Sequence, residues 1–444
     1  MTKGAIQDAL DTAIKLGAVE AELVCLKSES LEIEVCGGDV ESLAEAESIG
    51  TGLRLFTPDR RMGFAFCSDV NGGLTALTES AWQNALGNDP DPHNGLHKDA
   101  IESFDDWTEE DFAARPVAEK IDIARSIEAA TLASEPRVRA VQQASYGDIL
   151  NDVTIANTHG LFRRYRSGYC SASVVAVAAG DTGDPEMGWE FDFARTFEAL
   201  RPNWVADRCA QRAVRGLGGK PCASCVMPIV LENYVAMQIL GILSTSLAAD
   251  EVLKGRSMLA HRVGDAIASE GVSIYDQNDL PEGINRAPFD GEGVSAQRTV
   301  LVEDGRLAGY LHSVYTATRV QGQSTANGSR GGFKSTPEVS ASNLYLNPGT
   351  TSLEGLLDTA SEGFYVTEAM GVHTADPVSG DFSFGAAGLH IVNGRLGSPI
   401  RGVTIAGNVI DIFSKIAGIG DDLRFFGACG APSLLISDVM VSGE

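Results

Sequence analysis

One layout occurs twice in the first half of this chain, a helix followed by a run of strands, and it limits the fold more than any other feature. "MTKGAIQDALDTAIKLG" sets Ile6, Leu10, Ala13 and Ile14 on one helical stripe, which Gly17 ends. Strands are predicted at "AELVCLKS", "LEIEVC", "DVESLAEAE", "TGLRLF" and "GFAFCS", with turns at Gly37 and Gly38 and at "TPDRRM". A helix around "LTESAWQNALG" closes the unit, and the Pro/Asp/Asn run "NDPDPHNGLHKD" reads as a linker. The pattern then resumes. "RPVAEKIDIARSIEAATLAS" offers Pro116 at the first helical position and a stripe at Val117, Ile121 and Ala124. Strands follow at "RVRAVQQASYG", "NDVTIAN", "LFRRYRSGYCSASVVAVAA" and "MGWEFDFAR", before a helix at "NWVADRCAQRAVRGLGG". The likeness is one of layout and not of sequence.

From Pro221 the chain becomes richer in glycine and in strands. Two hairpins are signalled by Asp304-Gly305 in "TVLVEDGRLAGYL" and Asn393-Gly394 in "GLHIVNGRLGSPI", since a type I′ turn places both central residues at positive φ. Between them "RVQGQSTANGSRGGFKSTPEVSASN" has almost no apolar residue, and a loop of that length in a compact domain is functional or mobile. The expected fold is α+β. Helix plus β-meander units fill the N-terminal half, and a mostly antiparallel β domain with a few helices fills the rest. The expected domains are 1–105, 106–219 and 220–444.

Composition narrows the function. The 444 residues carry a formal net charge of −26, which opposes contact with nucleic-acid phosphates. The one basic cluster, "RRYRSGY" from Arg163 to Tyr169, reads as a solvated sheet face. No segment has the roughly 18 uninterrupted apolar residues of a membrane helix. With no signal-peptide core at the start, a cytoplasmic location and reduced cysteines are expected.

The candidate sites are sparse. "PCASC" holds a single CxxC (Cys222, Cys225), with no second pair or histidines to complete a zinc site. "GLGGKP" lacks the spacing of a P-loop. None of the seven histidines forms an HExxH pair, and His93 and His97 sit among Pro90, Pro92 and Gly95 as expected exposed linker residues. His312, His373, His390 and Cys429 are the candidates for a metal site in the C-terminal domain, if they converge. The stretch "CVMPIVLENYVAMQILGIL" reads as a strand entering a helix with one carboxylate, Glu232, near the junction.

The C-terminal half closely resembles the PmbA/TldE branch of the TldD/PmbA peptidase family, once called modulators of DNA gyrase. The resemblance rests on "APFDGEGVSAQRTVLVEDGRLAGYLHSVYTATRVQG", "VTEAMGVHTADPVSGDFSFGAAGLHIVNGRL", "TIAGNVIDIFSKIAGIGDDL" and "GACGAPSLLI". In the first half, "GAVEAELVCLKSESLEIEV" with "DVESLAEAESIGTGLRLF" is similar to the family's N-terminal domain. TldD-type chains carry His-Glu-x-x-x-His, in which the histidines hold a metal and the Glu activates its water. The matching stretch here is "LENYVA": Leu231 and Ala236 stand where the histidines would be, and Glu232 keeps the place of the acid. Cys429 stands in the region of a further ligand, without being diagnostic.

The resemblance therefore implies a non-catalytic subunit of a cytoplasmic metallopeptidase acting on unfolded peptides. It implies no cofactor in this chain, and zinc or another divalent metal in a TldD-type catalytic partner. Whether the chain alone forms a homodimer is left open by the sequence. The loop 319–343 and the segment from Val372 to Gly388 are the expected lining of a peptide cavity, entered by strand addition at a Gly-rich edge. A buried Glu232 without a cation would take up a proton. The alternatives are a self-sufficient peptidase using His312, His373, His390 and Cys429, and a protein-binding regulator linked to DNA gyrase.

Overall fold

The structure, a computed structural model, describes residues 1–68, 73–180 and 184–443. Its first half runs α1 (Lys3–Leu16), β1 (Glu20–Cys36), β2 (Asp39–Phe56), β3 (Met62–Cys67), α2 (Leu74–Leu86) and β4 (Glu102–Trp107). It continues through α3 (Val117–Ser134), β5 (Val138–Asn157), β6 (Phe162–Ala178), β7 (Glu186–Ala194) and α4 (Pro202–Arg215). All seven strands join one sheet in the order β3-β2-β1-β5-β6-β4, with β7 also on β6. The antiparallel β1–β5 pairing carries the sheet across the two helix-plus-meander units.

Strand length departs from the sequence expectation. "AELVCLKS" and "LEIEVC" are one strand of 17 residues, and "DVESLAEAE" and "TGLRLF" are one strand of 18. The serines and glycines between these pieces stay in register across β1–β2, Ser28 opposite Ser48 and Leu26 opposite Gly50, so no turn forms there. β4, unforeseen at "ESFDDW", pairs parallel with β6. Pro116 caps α3 one position before the helix begins.

One face of this sheet is packed by helices, in two clusters. Leu23, Leu53 and Leu55 meet Ile6 and Leu10 of α1 and Ala81 and Ala85 of α2. Alternate residues of β6, Cys170, Val174 and Ala176 among them, meet Ala124 and Ile127 of α3 and Val205 and Cys209 of α4. Period-two burial along a strand against period-3.6 burial along a helix makes the seam. β3 lies so near α2 that a Cβ on Gly63 would run into the carbonyl of Ala81.

The second half begins with β8 (Cys225–Leu231) and α5 (Asn233–Ser246), then β9 (Ile274–Gln277) and the hairpin β10 (Arg298–Glu303) with β11 (Arg306–Leu307). β12 (Gly328–Ser329) and β13 (Glu338–Val339) pair within the polar loop. There follow β14 (Leu344–Leu346), β15 (Gly363–Met370), the hairpin β16 (Asp381–Val392) with β17 (Arg395–Asn408), and β18 (Ile416–Ile419). β19 (Arg424–Phe426), β20 (Cys429–Ala431) and β21 (Leu434–Ser442) complete the chain. Two six-stranded sheets result, β11-β10-β9-β14-β20-β19 and β17-β16-β15-β8-β21-β18. α5 is central to their shared core: Val235, Ile239 and Leu243 are buried among Leu344, Phe364 and Phe413. Both expected hairpin turns form, with φ of 47° and 77° at Asp304 and Gly305, and 50° and 72° at Asn393 and Gly394.

The polar loop is anchored to its surroundings. Asn327 Nδ2 donates to Asp276 at 2.7 Å, and Phe333 lies over β2 where Gly50 and Gly52 leave no side chain in its way. Arg330 ion-pairs with Glu22 of β1, and Arg54 of β2 reaches both Glu22 and Glu292 at 3.2 Å. These four side chains are at most 6% exposed and pin the helix-free face of the first sheet to the C-terminal loops.

Candidate functional site

β8 ends at Leu231, and α5 starts two residues later. Glu232 sits between them in extended backbone, with φ −60° and ψ 148°. Its N–H donates to Val366 of β15 at 2.9 Å, and its carbonyl accepts from Ala236 at 2.9 Å, which closes the first helical turn. Its side chain makes no capping hydrogen bond. It turns instead to α4, whose Arg208, Arg212 and Arg215 follow one another at i, i+4 and i+7 on a single face.

Arg215 grips the Glu232 carboxylate with both ends of its fork, Nη1 to Oε1 at 3.0 Å and Nη2 to Oε2 at 3.1 Å. Arg212 Nη2 adds a bond to Oε2 at 3.3 Å, and Arg208 Nη2 stands 3.8 Å from Oε1. Glu190 of β7, fully buried, lies alongside. It takes Arg424 at 2.5 and 3.1 Å, with Arg212 Nε at 3.6 Å and Arg208 Nε at 3.8 Å. Four guanidiniums thus face two carboxylates. Trp204, Trp189 and Phe426 pack against the guanidiniums of Arg208, Arg212 and Arg424.

The electrostatics follow from that count. Burial alone would raise the pKa of Glu232, but Arg215, then Arg212 and Arg208, more than offset it and hold the carboxyl below its ordinary value. The condition under which a buried Glu232 would take up a proton, the lack of a cation, is not met: arginine supplies the cation. Nearby Glu368, lacking such a clamp, is raised by burial.

These residues do not suit a divalent metal. Leu231 and Ala236 are buried aliphatics without a donor atom, and both oxygens of Glu232 are engaged by guanidiniums. A divalent cation placed there would meet three positive charges. The other candidates lie apart in their contacts. His312, its pKa lowered by burial, sets Nδ1 3.3 Å from the Thr316 hydroxyl. His373 is on a short turn at Val372–Thr374, and His390 lies opposite Phe364 on β16. Cys429 is on β20, where burial pushes its thiol up to about 12. Among the described residues, no three His, Cys, Asp or Glu side chains are grouped so as to hold a metal.

Other expectations also meet the geometry. Cys222 and Cys225 are both free thiols, and burial raises the former. His97 is not the exposed linker residue expected; its side chain is 17% exposed, and burial lowers its pKa. Nor is the whole of "RRYRSGY" solvated. Arg164 is exposed beside Asp152, but Arg163 is buried between Phe289 and the Ser295 hydroxyl. No described helix is long and apolar enough to cross a membrane. Residues 326–330 and 340–342 of the polar loop line a cavity against the first sheet, and no residue of 372–388 does.

Sequence reading missed the arginine stripe, although its signal was present. Three arginines at helical spacing, opposite Val205, Cys209 and Ala213, are conspicuous in a chain of net charge −26. Glu190 carried no such signal, since its approach depends on how β7 lies under α4.

Comparison with known proteins agrees with this architecture. Residues 21–85, 110–217 and 224–443 match, in order, domain 1, the central domain and the C-terminal domain of the PmbA/TldA metallopeptidases. Metalloprotease PmbA of Escherichia coli O157:H7 is 27% identical over 447 residues, spanning 99% of this chain and 96% of that one. A metalloprotease of Methanothermobacter thermautotrophicus is 33% identical over 316 residues, 67% of this chain and 69% of its own. A crystal structure from Thermotoga maritima MSB8 superposes with a TM-score of 0.91 at 26% identity, covering 99% of this chain and 100% of that one. TldE from Thermococcus kodakarensis, at 20% identity and a TM-score of 0.90 over 99% of this chain and 100% of that one, shares the fold. The chain belongs to the PmbA/TldE family of the PmbA/TldA metallopeptidases.

Proposed function

We propose that this chain is the non-catalytic, TldE-like subunit of a heteromeric cytoplasmic metallopeptidase that degrades or matures unfolded peptides. A TldD-type partner supplies the His-Glu-x-x-x-His motif and the zinc or other divalent metal it holds. The observation that carries the reading is the arginine clamp on Glu232. A general base must have a free lone pair within reach of a substrate proton. Here both oxygens are spent on guanidiniums behind Trp189 and Trp204, and the flanking positions are Leu231 and Ala236. What this subunit contributes is then surface, for pairing and for holding peptide.

The test is co-purification with a partner carrying His-Glu-x-x-x-His, followed by peptide hydrolysis by each chain alone and by the pair. The reading predicts stable pairing, hydrolysis by the pair, and none by this chain alone. A partner fully active without this chain would contradict it. So would hydrolysis by this chain alone with stoichiometric metal, which would instead favour the self-sufficient peptidase.

A further inference from the structure

Between the helix-free face of the first sheet and the C-terminal loops lies a cavity of about 400 Å³. Its sheet wall carries an apolar patch, with Val24 of β1, Ile149 and Val153 of β5 and Tyr169 of β6, interrupted by Asn151 and Ser167. The charged residues lining it are Arg195, Arg286, Arg330 and Asp290, three cations to one acid. That balance is the reverse of the chain as a whole, whose formal net charge is −26. A positive cavity with a low-dielectric wall focuses its field on an incoming anion.

The three cations differ in their partners. Arg330 pairs with Glu22, and Arg286 pairs with Glu109 at 2.9 Å. Arg195, just beyond β7, donates only to backbone carbonyls, those of Gly168 at 3.1 Å, Ile284 at 3.2 Å and Gly283. Among the described residues it forms no ion pair, and its Nε has no acceptor. Carbonyls fix a guanidinium in place without neutralising it. Asp290 forms no ion pair with Arg195 among the described residues; its oxygens accept from three backbone N–H groups, while burial, then Glu292, raises its pKa to about 7. Arg195 also lines a second cavity of about 490 Å³, beside Phe193 and Pro281, where Glu109, Asp192 and Glu282 also line the wall, none of them in an ion pair with Arg195 among the described residues. It therefore stands between two spaces, one of them with an apolar patch.

We propose that this cavity binds the end of a peptide, with Arg195 receiving the C-terminal carboxylate and the Val24–Ile149–Val153 wall receiving an apolar last side chain. One uncompensated cation matches one negative charge, and a planar guanidinium matches a planar carboxylate. The proposal rests on the peptidase-subunit reading above and deepens it: this subunit selects which end of the substrate enters.

The experiment measures anisotropy of N-terminally fluorescein-labelled Ala-Ala-Ala-Leu on the full chain. It uses three forms: the free acid, the C-terminal amide, and the amide with Glu in place of the third alanine. The free acid binds at least about tenfold tighter than the amide, as a charge-assisted hydrogen bond implies. Arg195→Gln removes the preference. Ser167→Trp, which fills the cavity and leaves the carbonyl partners of Arg195 in place, weakens binding of the acid by a similar factor. Melting curves check that each variant is folded, and Ser167→Trp keeps the test open if Arg195→Gln is not. Equal binding of acid and amide, binding of neither, or a preference that survives both variants overturns the proposal. A gain from the internal Glu equal to that of the free acid overturns the C-terminal assignment. Failure of the underlying reading looks different: the chain then fails to pair with a His-Glu-x-x-x-His partner, whatever its preference between acid and amide.

Discussion

At the β8–α5 junction, three guanidiniums of α4 close on one carboxylate, and aromatic rings pack against two of them. At the cavity under the first sheet, one guanidinium is held by carbonyls and faces open space. Both places concentrate arginine in a strongly acidic chain, yet only the second leaves one of them, Arg195, without an ion pair among the described residues. Removing two charges from water costs several kcal/mol each, and the cost is offset only where partners and hydrogen bonds are complete. The clamp around Glu232 has the ion pairs, although the Nε atoms of Arg208, Arg212 and Arg215 lack an acceptor, and so reads as architecture. Arg195 has no ion pair among the described residues, and so reads as half of an interaction.

Mutations separate the two. Glu232→Gln keeps the side chain's shape and leaves three arginines facing one another, so it is expected to destabilise the fold by about 3–5 kcal/mol in chemical denaturation. A loss below about 1 kcal/mol would mean that the clamp is a surface-type pair and that the contrast with Arg195 is void.

Acidity then tests the direction of the clamp. The folded pKa of Glu232 lies below its ordinary 4.5, so its contribution is present above the unfolded value and is lost as pH falls through the folded one. The penalty of Glu232→Gln should therefore shrink as unfolding is measured from pH 7 towards pH 3. Asp290 has the opposite sign, its pKa raised to about 7 from 3.8. Between those values the folded chain binds the proton and the unfolded chain does not, so rising pH erodes stability. Relative to the parent chain, Asp290→Asn should gain stability from pH 5 to pH 8, and a flat difference would remove Asp290 from the account.

The remaining effects are smaller. Arg195→Gln loses hydrogen bonds to carbonyls but breaks no ion pair, so about 1–2 kcal/mol is expected. A cost equal to that of Glu232→Gln would show that Arg195 is as structural as the clamp. Arg164→Ala, which removes an exposed pair with Asp152, should change stability by no more than about 0.5 kcal/mol.

The fold was legible in the sequence where periodicity is local. The stripe of α1, the alternation along β6 and both I′ hairpin turns follow from side-chain spacing and from the tolerance of Asp, Asn and Gly for positive φ. Strand length was not legible, because the continuation of β1 through "LKSESLE" depends on its pairing with β2 and β5. Nor was the anchoring of the polar loop, which depends on Glu22, Arg54 and two glycines of β2, with Glu22 308 residues before Arg330. At the site, Glu232 and its aliphatic neighbours could be read directly. Its counter-charge could not, since pairing 17 to 24 residues apart requires the β8–α5 junction to meet α4, a tertiary fact.

A double-mutant cycle between Glu232 and Arg215, using Glu232→Gln, Arg215→Met and both together, measures the clamp most directly. The account predicts that the double variant is more stable than the sum of the single losses implies, with a coupling of at least about 1 kcal/mol. Strictly additive losses would show that Arg215 does not neutralise Glu232, and the carboxylate would again be free for another role.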